Sequence, residues 1–274
     1  MTAVTNRQVQ VFWESHPVAA AALAAIPGTH KFYRQFDVLR EADDCEPYPF
    51  SNRIHGYDRA AGKRVLDVGC GNGYVLERYA RHGAEVFGID LTETALGLSR
   101  QRFALAALKA EFRPTDGNTI PYPDDHFDIV CAMGVLHHIA NPRPMVTEMR
   151  RVLRPGGELI LMLYHRHSWK YHVVLRLKRL FDPRYRGKSQ AEALNMNDGA
   201  DCPLARVYSK AEARRLLADF ADIRFTVNLL SWKQLFLSKR LARWLVPTRP
   251  ASESWFARRF GWNLYVSARK PWRT

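Results

Sequence analysis

Lys63-Arg64-Val65-Leu66-Asp67-Val68-Gly69-Cys70-Gly71-Asn72-Gly73 decides how the rest of this chain is read. A short β-branched-rich run ends in glycines, which suits a buried parallel strand that hands over through a tight turn to a helix. Tyr74 to His82 then has apolar Val75 and Tyr79 at helical spacing and stops at Gly83, a residue suited to the position past a helix end. Glu85 to Asp90 reads as a second strand. Thr92 caps the helix that follows, with Glu93 in its first turn. Ala110 to Asp116 gives a third strand and Phe127 to Met133 a fourth. Asn141-Pro142 supplies a cap and a first-turn proline for a helix to Leu153. Arg154-Pro155-Gly156-Gly157 breaks that helix and turns into a fifth strand, Glu158 to Tyr164.

Strands alternating with helices imply an α/β fold, a doubly wound and mostly parallel sheet with right-handed crossovers. Two more strands, near Ile223 to Leu230 and Trp262 to Ala268, bring the sheet to seven. Ser209-Lys210-Ala211-Glu212 is a capping box opening the helix between the fifth and sixth. Residues 1–62 are expected to form an N-terminal helical cap or lid, including a short helix over Val18 to Ile26. Residues 63–274 form the main domain. Within it, 165–204 is an insertion that leaves from the carboxyl ends of the strands, where open α/β sheets bind ligands.

The chain has 274 residues, 47% of them apolar and 12% aromatic, which excludes disorder and collagen-like repetition. No run of about 18 apolar residues is present, so no membrane span is expected. Four cysteines without paired spacing are read as thiols in a reducing cytoplasm. The formal charge of +14 is unevenly placed: residues 1–62 sum to −1, 63–164 to zero and 165–274 to +15.

The glycine turn is followed, about 20 residues on, by a strand ending in Asp90, where nucleotide-binding doubly wound folds keep a carboxylate for ribose hydroxyls. Asp67 beside the turn would repel a diphosphate and suit a ligand bearing an ammonium, as S-adenosylmethionine (SAM) does. Further along come Gly88-Ile89-Asp90-Leu91-Thr92, Asp116-Gly117, Ile120-Pro121-Tyr122-Pro123-Asp124, Phe127-Asp128-Ile129-Val130, Gly134-Val135-Leu136-His137-His138 and Arg151-Val152-Leu153-Arg154-Pro155-Gly156-Gly157. With the turn, this series over residues 63–164 resembles the class I SAM-dependent methyltransferases. It is most similar to the small-molecule type that includes the ubiquinone- and menaquinone-pathway enzymes.

The resemblance implies a Rossmann-like fold, SAM as cofactor and S-adenosylhomocysteine as its product. It implies that Asp67 binds the SAM amino group and that Gly69, Cys70, Gly71 and Asn72 form the turn under the methionine part. Asp90 would hold the ribose hydroxyls and Leu91 pack on the adenine. Asp116 would accept from the adenine amino group, Gly117 donate a backbone N–H, and Met133 and Gly134 flank the methionine portion. The plain alternative for Asp67, Asp90 and Asp116 is loop capping.

SAM is already reactive, so the protein chiefly aligns the nucleophile and excludes water. His138 is the candidate base, with cofactor lining as the alternative. His165 and Tyr208 are candidate substrate contacts, at the end of the fifth strand and before the capping box. His165 and His167 have a spacing that invites a metal, with Asp198, Asp201 or Cys202 as a third ligand, but no established spacing supports it and none is expected. Trp169, Val173, Leu177 and Phe181, and again Leu237, Leu241 and Trp244-Leu245, recur among basic residues. Such stretches are core-packed helices with solvated cations or, alternatively, an anionic-membrane face.

Nucleic acid is not expected as a partner, because Met133-Gly134-Val135-Leu136 stands where base-amine methylators carry an Asn/Asp-Pro-Pro-aromatic motif. The reading is a cytoplasmic enzyme, with a membrane-peripheral location as the alternative, methylating O, N or C of a small lipidic or anionic molecule. The alternatives are SAM-dependent aminocarboxypropyl transfer and a non-catalytic SAM-binding or membrane-surface module.

Overall fold

The computed structural model describes residues 4–18, 20, 23–42, 45–230 and 254–272. Three helices, α1 (Asn6–Ser15), α2 (His30–Glu41) and α3 (Tyr48–His55), precede β1 (Arg64–Val68), α4 (Tyr74–Arg81), β2 (Glu85–Asp90), α5 (Glu93–Leu105), β3 (Glu111–Pro114), β4 (Phe127–Met133), α6 (Pro142–Val152) and β5 (Leu153–Tyr164). After β5 come α7 (Leu175–Phe181), α8 (Gln190–Asn195), α9 (Lys210–Leu216), β6 (Ala221–Asn228) and β7 (Asn263–Arg269). The sheet order is β3-β2-β1-β4-β5-β7-β6, with β7 antiparallel to both neighbours and the other pairings parallel. The seven-stranded, mostly parallel doubly wound sheet read from the sequence is therefore the fold.

Side-chain alternation splits the core. Leu66, Val68, Ile89, Val130 and Leu161 pack on one face, and Val65, Val86, Ile129, Cys131 and Ile160 on the other. Burial on both faces is why these strands carry nearly unbroken apolar runs, and it forces function to the loops at their carboxyl ends.

The N-terminal helices are tied to the sheet by buried polar groups. Glu46, 2% exposed, accepts from the Tyr265 hydroxyl of β7 and pairs with Arg40 of α2. At the end of α3, the Tyr79 hydroxyl donates to the His55 carbonyl at 2.9 Å, and the His55 ring stacks on Tyr57.

Three expectations need correction or limits. Residues 23–26, read as part of an alanine-rich helix, are not helical, and Ala19, Ala21 and Ala22 lie outside the described residues. The stripe Trp169, Val173, Leu177, Phe181 is not the buried face: Leu175 is fully buried and Phe181 is 79% exposed. A π-helical turn, Lys170–Val174, precedes α7 and re-phases the stripe, because its step is longer than the α-helical one. The second stripe, Leu237 to Leu245, lies outside the described residues.

Burial and Arg40 pull the His55 imidazole down to about 3. In the unfolded chain it titrates near about 6.5. As pH falls from there toward 3, the unfolded state gains a proton that the folded state refuses, so stability is lost at about 1.4 kcal/mol per pH unit. The substitution His55→Phe is expected to make the melting temperature fall less steeply between neutral pH and the acid limb. An unchanged slope would show that this imidazole is not responsible.

Candidate functional site

After β1, Gly69 and Gly71 adopt φ of +74° and +58°. A Cβ on Gly69 would lie 2.3 Å from Val135 Cγ2, so both its conformation and the closeness of the β4 loop require glycine. Asp90, ending β2, accepts from the Gly71 N–H at 3.1 Å through one oxygen. Its other oxygen takes the Thr92 N–H at 3.0 Å and the Thr92 hydroxyl at 2.9 Å. Burial raises this carboxyl above the usual range, and the three donors oppose that rise.

These loops enclose a cleft of about 930 Å³, part of it open to solvent. Of the expected cofactor residues, Gly69, Gly71, Asn72, Asp90 and Leu91 line it, as do Gly117, Met133 and Gly134.

Three others are not on its wall. The side chain of Asp67 is 2% exposed and accepts from the Cys131 thiol at 3.4 Å, and burial pushes its carboxyl well above the usual range. Cys70 turns inward, where the Ser99 hydroxyl reaches its sulfur at 3.5 Å. Asp116 caps its own loop: Oδ1 accepts from the backbones of Asn118 and Thr119, each at 2.8 Å, which holds its carboxyl low.

The roof of the cleft was not visible by motif. On α1, Asn6, Gln10 and Glu14 repeat every four residues and bond three different loops. Asn6 reaches the Asp116 carbonyl at 3.4 Å and accepts from the Ala140 N–H at 3.4 Å. Gln10 donates to the Leu91 carbonyl at 2.8 Å. Glu14 accepts from the Glu93 and Thr94 N–H groups at 3.1 and 3.0 Å, at the N-terminus of α5. The adjacent stripe, Val9 and Trp13, faces the cleft. The 6/10/14 and 9/13 spacings were the available signal, but the helix's docking partners lie about 80 to 135 residues away.

Of the candidate catalytic residues, only His138 lines the cleft. It is 5% exposed, its ring packs edge-on to Trp13, and its Nδ1–H donates to the Leu204 carbonyl at 2.6 Å. Burial pulls its imidazole below the usual value. His165 and Tyr208 are corrected: neither reaches the cleft. His165 is 2% exposed and donates through Nδ1 to the Gly261 carbonyl at 3.1 Å, with burial lowering it to about 4. Tyr208 pairs with β5's continuation, Tyr208 N–H to Tyr164 carbonyl at 2.7 Å and Arg166 N–H to Tyr208 carbonyl at 2.9 Å. The backbones of His165 and Tyr208 prolong the sheet past the end of β5, away from the cofactor loops.

The insertion and the residues just after it reach the loop that follows β4 and the end of β5. Arg206 donates to the Ile139 and Ala140 carbonyls at 3.0 and 2.7 Å. Asp198 Oδ1 accepts from the Tyr164 hydroxyl at 2.6 Å.

The donors suit SAM. Asn72 Nδ2 is buried without a partner, while its Oδ1 accepts from the Tyr74 N–H at 3.2 Å. Asp90 keeps lone pairs that would accept from a vicinal diol, and the wall beside it (Leu91, Leu98, Ile139) is apolar enough for a flat base.

Comparisons with known proteins agree. Residues 66–161 match the family model described as a methyltransferase domain. The chain is 38% identical over 120 residues to a ubiquinone biosynthesis O-methyltransferase of Azoarcus sp. (strain BH72), covering 43% of this chain and 51% of that protein. It is 37% identical over 146 residues to the one of Dechloromonas aromatica (strain RCB), covering 52% and 61%. The chain thus spans about half to three-fifths of these relatives' length.

Among solved structures, a SAM-dependent methyltransferase of Methanosarcina mazei is similar at TM-score 0.57 and 23% identity, over 81% of this chain and 98% of that one. The 4+2 cyclase SpnF is similar at TM-score 0.61 and 20% identity, over 100% and 98%. Likeness at such identity shows the fold.

Asp90→Ala is expected to weaken SAM binding by about 2 kcal/mol, roughly 30-fold, measured by calorimetry with the melting temperature as a folding control. Unchanged affinity would remove Asp90 from the site. The glycine turn, Asp90 at the end of β2 and the matched segment agree: residues 66–161 are a methyltransferase domain of class I SAM-dependent type, with S-adenosylmethionine as its cofactor.

Proposed function

We propose that the protein transfers the methyl group of SAM to a hydroxyl oxygen of a small molecule. The observation that carries this is the continuity of one covered cleft. Gly69, Gly71 and Asp90 stand in the same wall as Met133, Gly134 and His138, beneath the Val9–Trp13 face of α1. Bound SAM supplies an electrophilic methyl on a sulfonium. The residues of this chain do the rest: α1 excludes water, Asp90 and the glycine turn orient the cofactor, and His138 stands in the wall of the space left for the acceptor. The choice of oxygen is supported by the curated relatives matched over the cofactor domain, which are named O-methyltransferases.

Incubation with SAM and a panel of phenols and catechols, read by mass spectrometry, is expected to yield S-adenosylhomocysteine in step with a product heavier by one methylene. Release of methylthioadenosine instead would replace this reading with aminocarboxypropyl transfer. Absence of SAM binding would end it.

A second reading concerns where the acceptor is met. Leu180 and Phe181, 74% and 79% exposed, stand side by side at the end of α7 next to Arg176, Lys178 and Arg179. Residues 165–274 hold the whole positive excess of the chain. Among the described residues no helix is long and apolar enough to cross a membrane. An exposed apolar pair ringed by cations is suited to resting on an anionic lipid surface. In flotation, the protein is expected to rise with phosphatidylcholine vesicles containing phosphatidylglycerol and not with phosphatidylcholine alone. Leu180→Ser combined with Phe181→Ser should abolish the effect, and flotation that ignores this change would refute the surface.

A further inference from the structure

His138, Asp198 and Cys202 bring a ring nitrogen, a carboxylate oxygen and a sulfur within 4.8 Å of one another. The first comes from the loop after β4, the other two from the insertion. Each is oriented by a neighbour that leaves it free to ligate. The Leu204 carbonyl takes the His138 Nδ1 proton at 2.6 Å, which fixes the tautomer and puts the remaining lone pair on Nε2. Asp198 Oδ1 accepts from the Tyr164 hydroxyl at 2.6 Å and from the Asn197 amide at 3.3 Å. Its Oδ2 is buried with no hydrogen-bond partner. Cys202 is 5% exposed, and its sulfur lies 3.6 Å from the same Leu204 carbonyl.

A buried carboxylate oxygen left without a donor is costly. A cation among the three satisfies all of them at once. We propose that His138 Nε2, the Asp198 carboxylate and the Cys202 thiolate form a Zn²⁺ site. Mixed nitrogen, oxygen and sulfur donors favour zinc over the harder divalent ions. Zn–ligand distances of about 2.0–2.3 Å require the ligand atoms to close to about 3.5 Å from one another, a movement of about 1 Å in the insertion.

Three protein ligands are the number found where zinc keeps an open position. Because His138 also lines the cleft, that position adjoins the space available to the acceptor, where a Lewis acid would lower the pKa of a hydroxyl or thiol. His138 then acts on the acceptor through the metal and not as a base. The proposal departs from the expectation from sequence that no metal is held: Asp198 and Cys202 were considered there as third ligands, but beside His165 and His167 and not His138.

The site is testable without any acceptor. Full-length protein stripped with a chelator is titrated with Zn²⁺ against a chromophoric competitor, and separately with Co²⁺ as a spectroscopic probe. The expected result is saturable uptake of one ion per chain, with visible bands of low-symmetry cobalt and a near-ultraviolet thiolate-to-cobalt band. Cys202→Ser should abolish the thiolate band. Asp198→Asn should weaken Zn²⁺ binding by at least about tenfold. Cys45→Ser should change neither. SAM binding, measured on each variant, serves as the folding control and stands apart from the metal readout. No saturable uptake by the wild type, or a thiolate band that survives Cys202→Ser, overturns the proposal.

Discussion

The carboxylate of Asp90 holds the cofactor half of the molecule together. One oxygen accepts from the Gly71 N–H of the turn after β1 and the other from the cap residue of α5. Two neighbouring strand ends and the start of a helix are thereby set relative to one another by a single side chain. Its position follows from β-sheet register: Asp67 faces Gly88 and Val68 faces Ile89, so the last residue of β2 reaches the turn that follows β1. Everything at the carboxyl edge, including the space between the loops, takes its shape from that arrangement.

The second constraint comes from α1. A helix of ten residues, begun by the Thr5–Gln8 capping box, would be marginal alone. It is held by polar bonds to loops from three parts of the chain and by apolar contact through Val9 and Trp13. The result is a covered cleft in which the site's upper wall comes from far upstream of the motifs that define its lower one. The insertion and the segment after it brace the β4 loop and Tyr164 from outside the cleft, through Asp198, Leu204 and Arg206. The electrically neutral residues 63–164 thus carry the cofactor loops, and the positive excess of the chain lies in the residues after them.

Likeness to both a methyltransferase and a cyclase shows why the fold alone does not settle the reaction. The chemistry has to be argued from the side chains at the cleft, and there the sequence-based reading was uneven. Gly69, Asp90 and His138 line the cleft because each sits at a strand end or in the loop that leaves one, where period-two alternation and glycine turns fix position locally. His165 and Tyr208 also sit beside a strand end, yet they are consumed in prolonging the sheet's edge. Asp116, assigned to adenine, spends its carboxylate on its own loop. A backbone N–H two or three residues on competes for such a side chain, and spacing cannot reveal which partner wins.

The sequence by itself determined the order of strands and helices, the doubly wound sheet and the cofactor turn. Those depend on interactions between residues close in the chain: alternation, caps, and glycine's access to positive φ. Only the tertiary structure decided which side chains share the cleft. The docking of α1, the burial of Glu46 against Tyr265, and the meeting of His138 with Asp198 and Cys202 join residues 60 to more than 200 positions apart. Such contacts carry no local periodicity, because they are selected by shape and by the partners left for each buried polar group after folding.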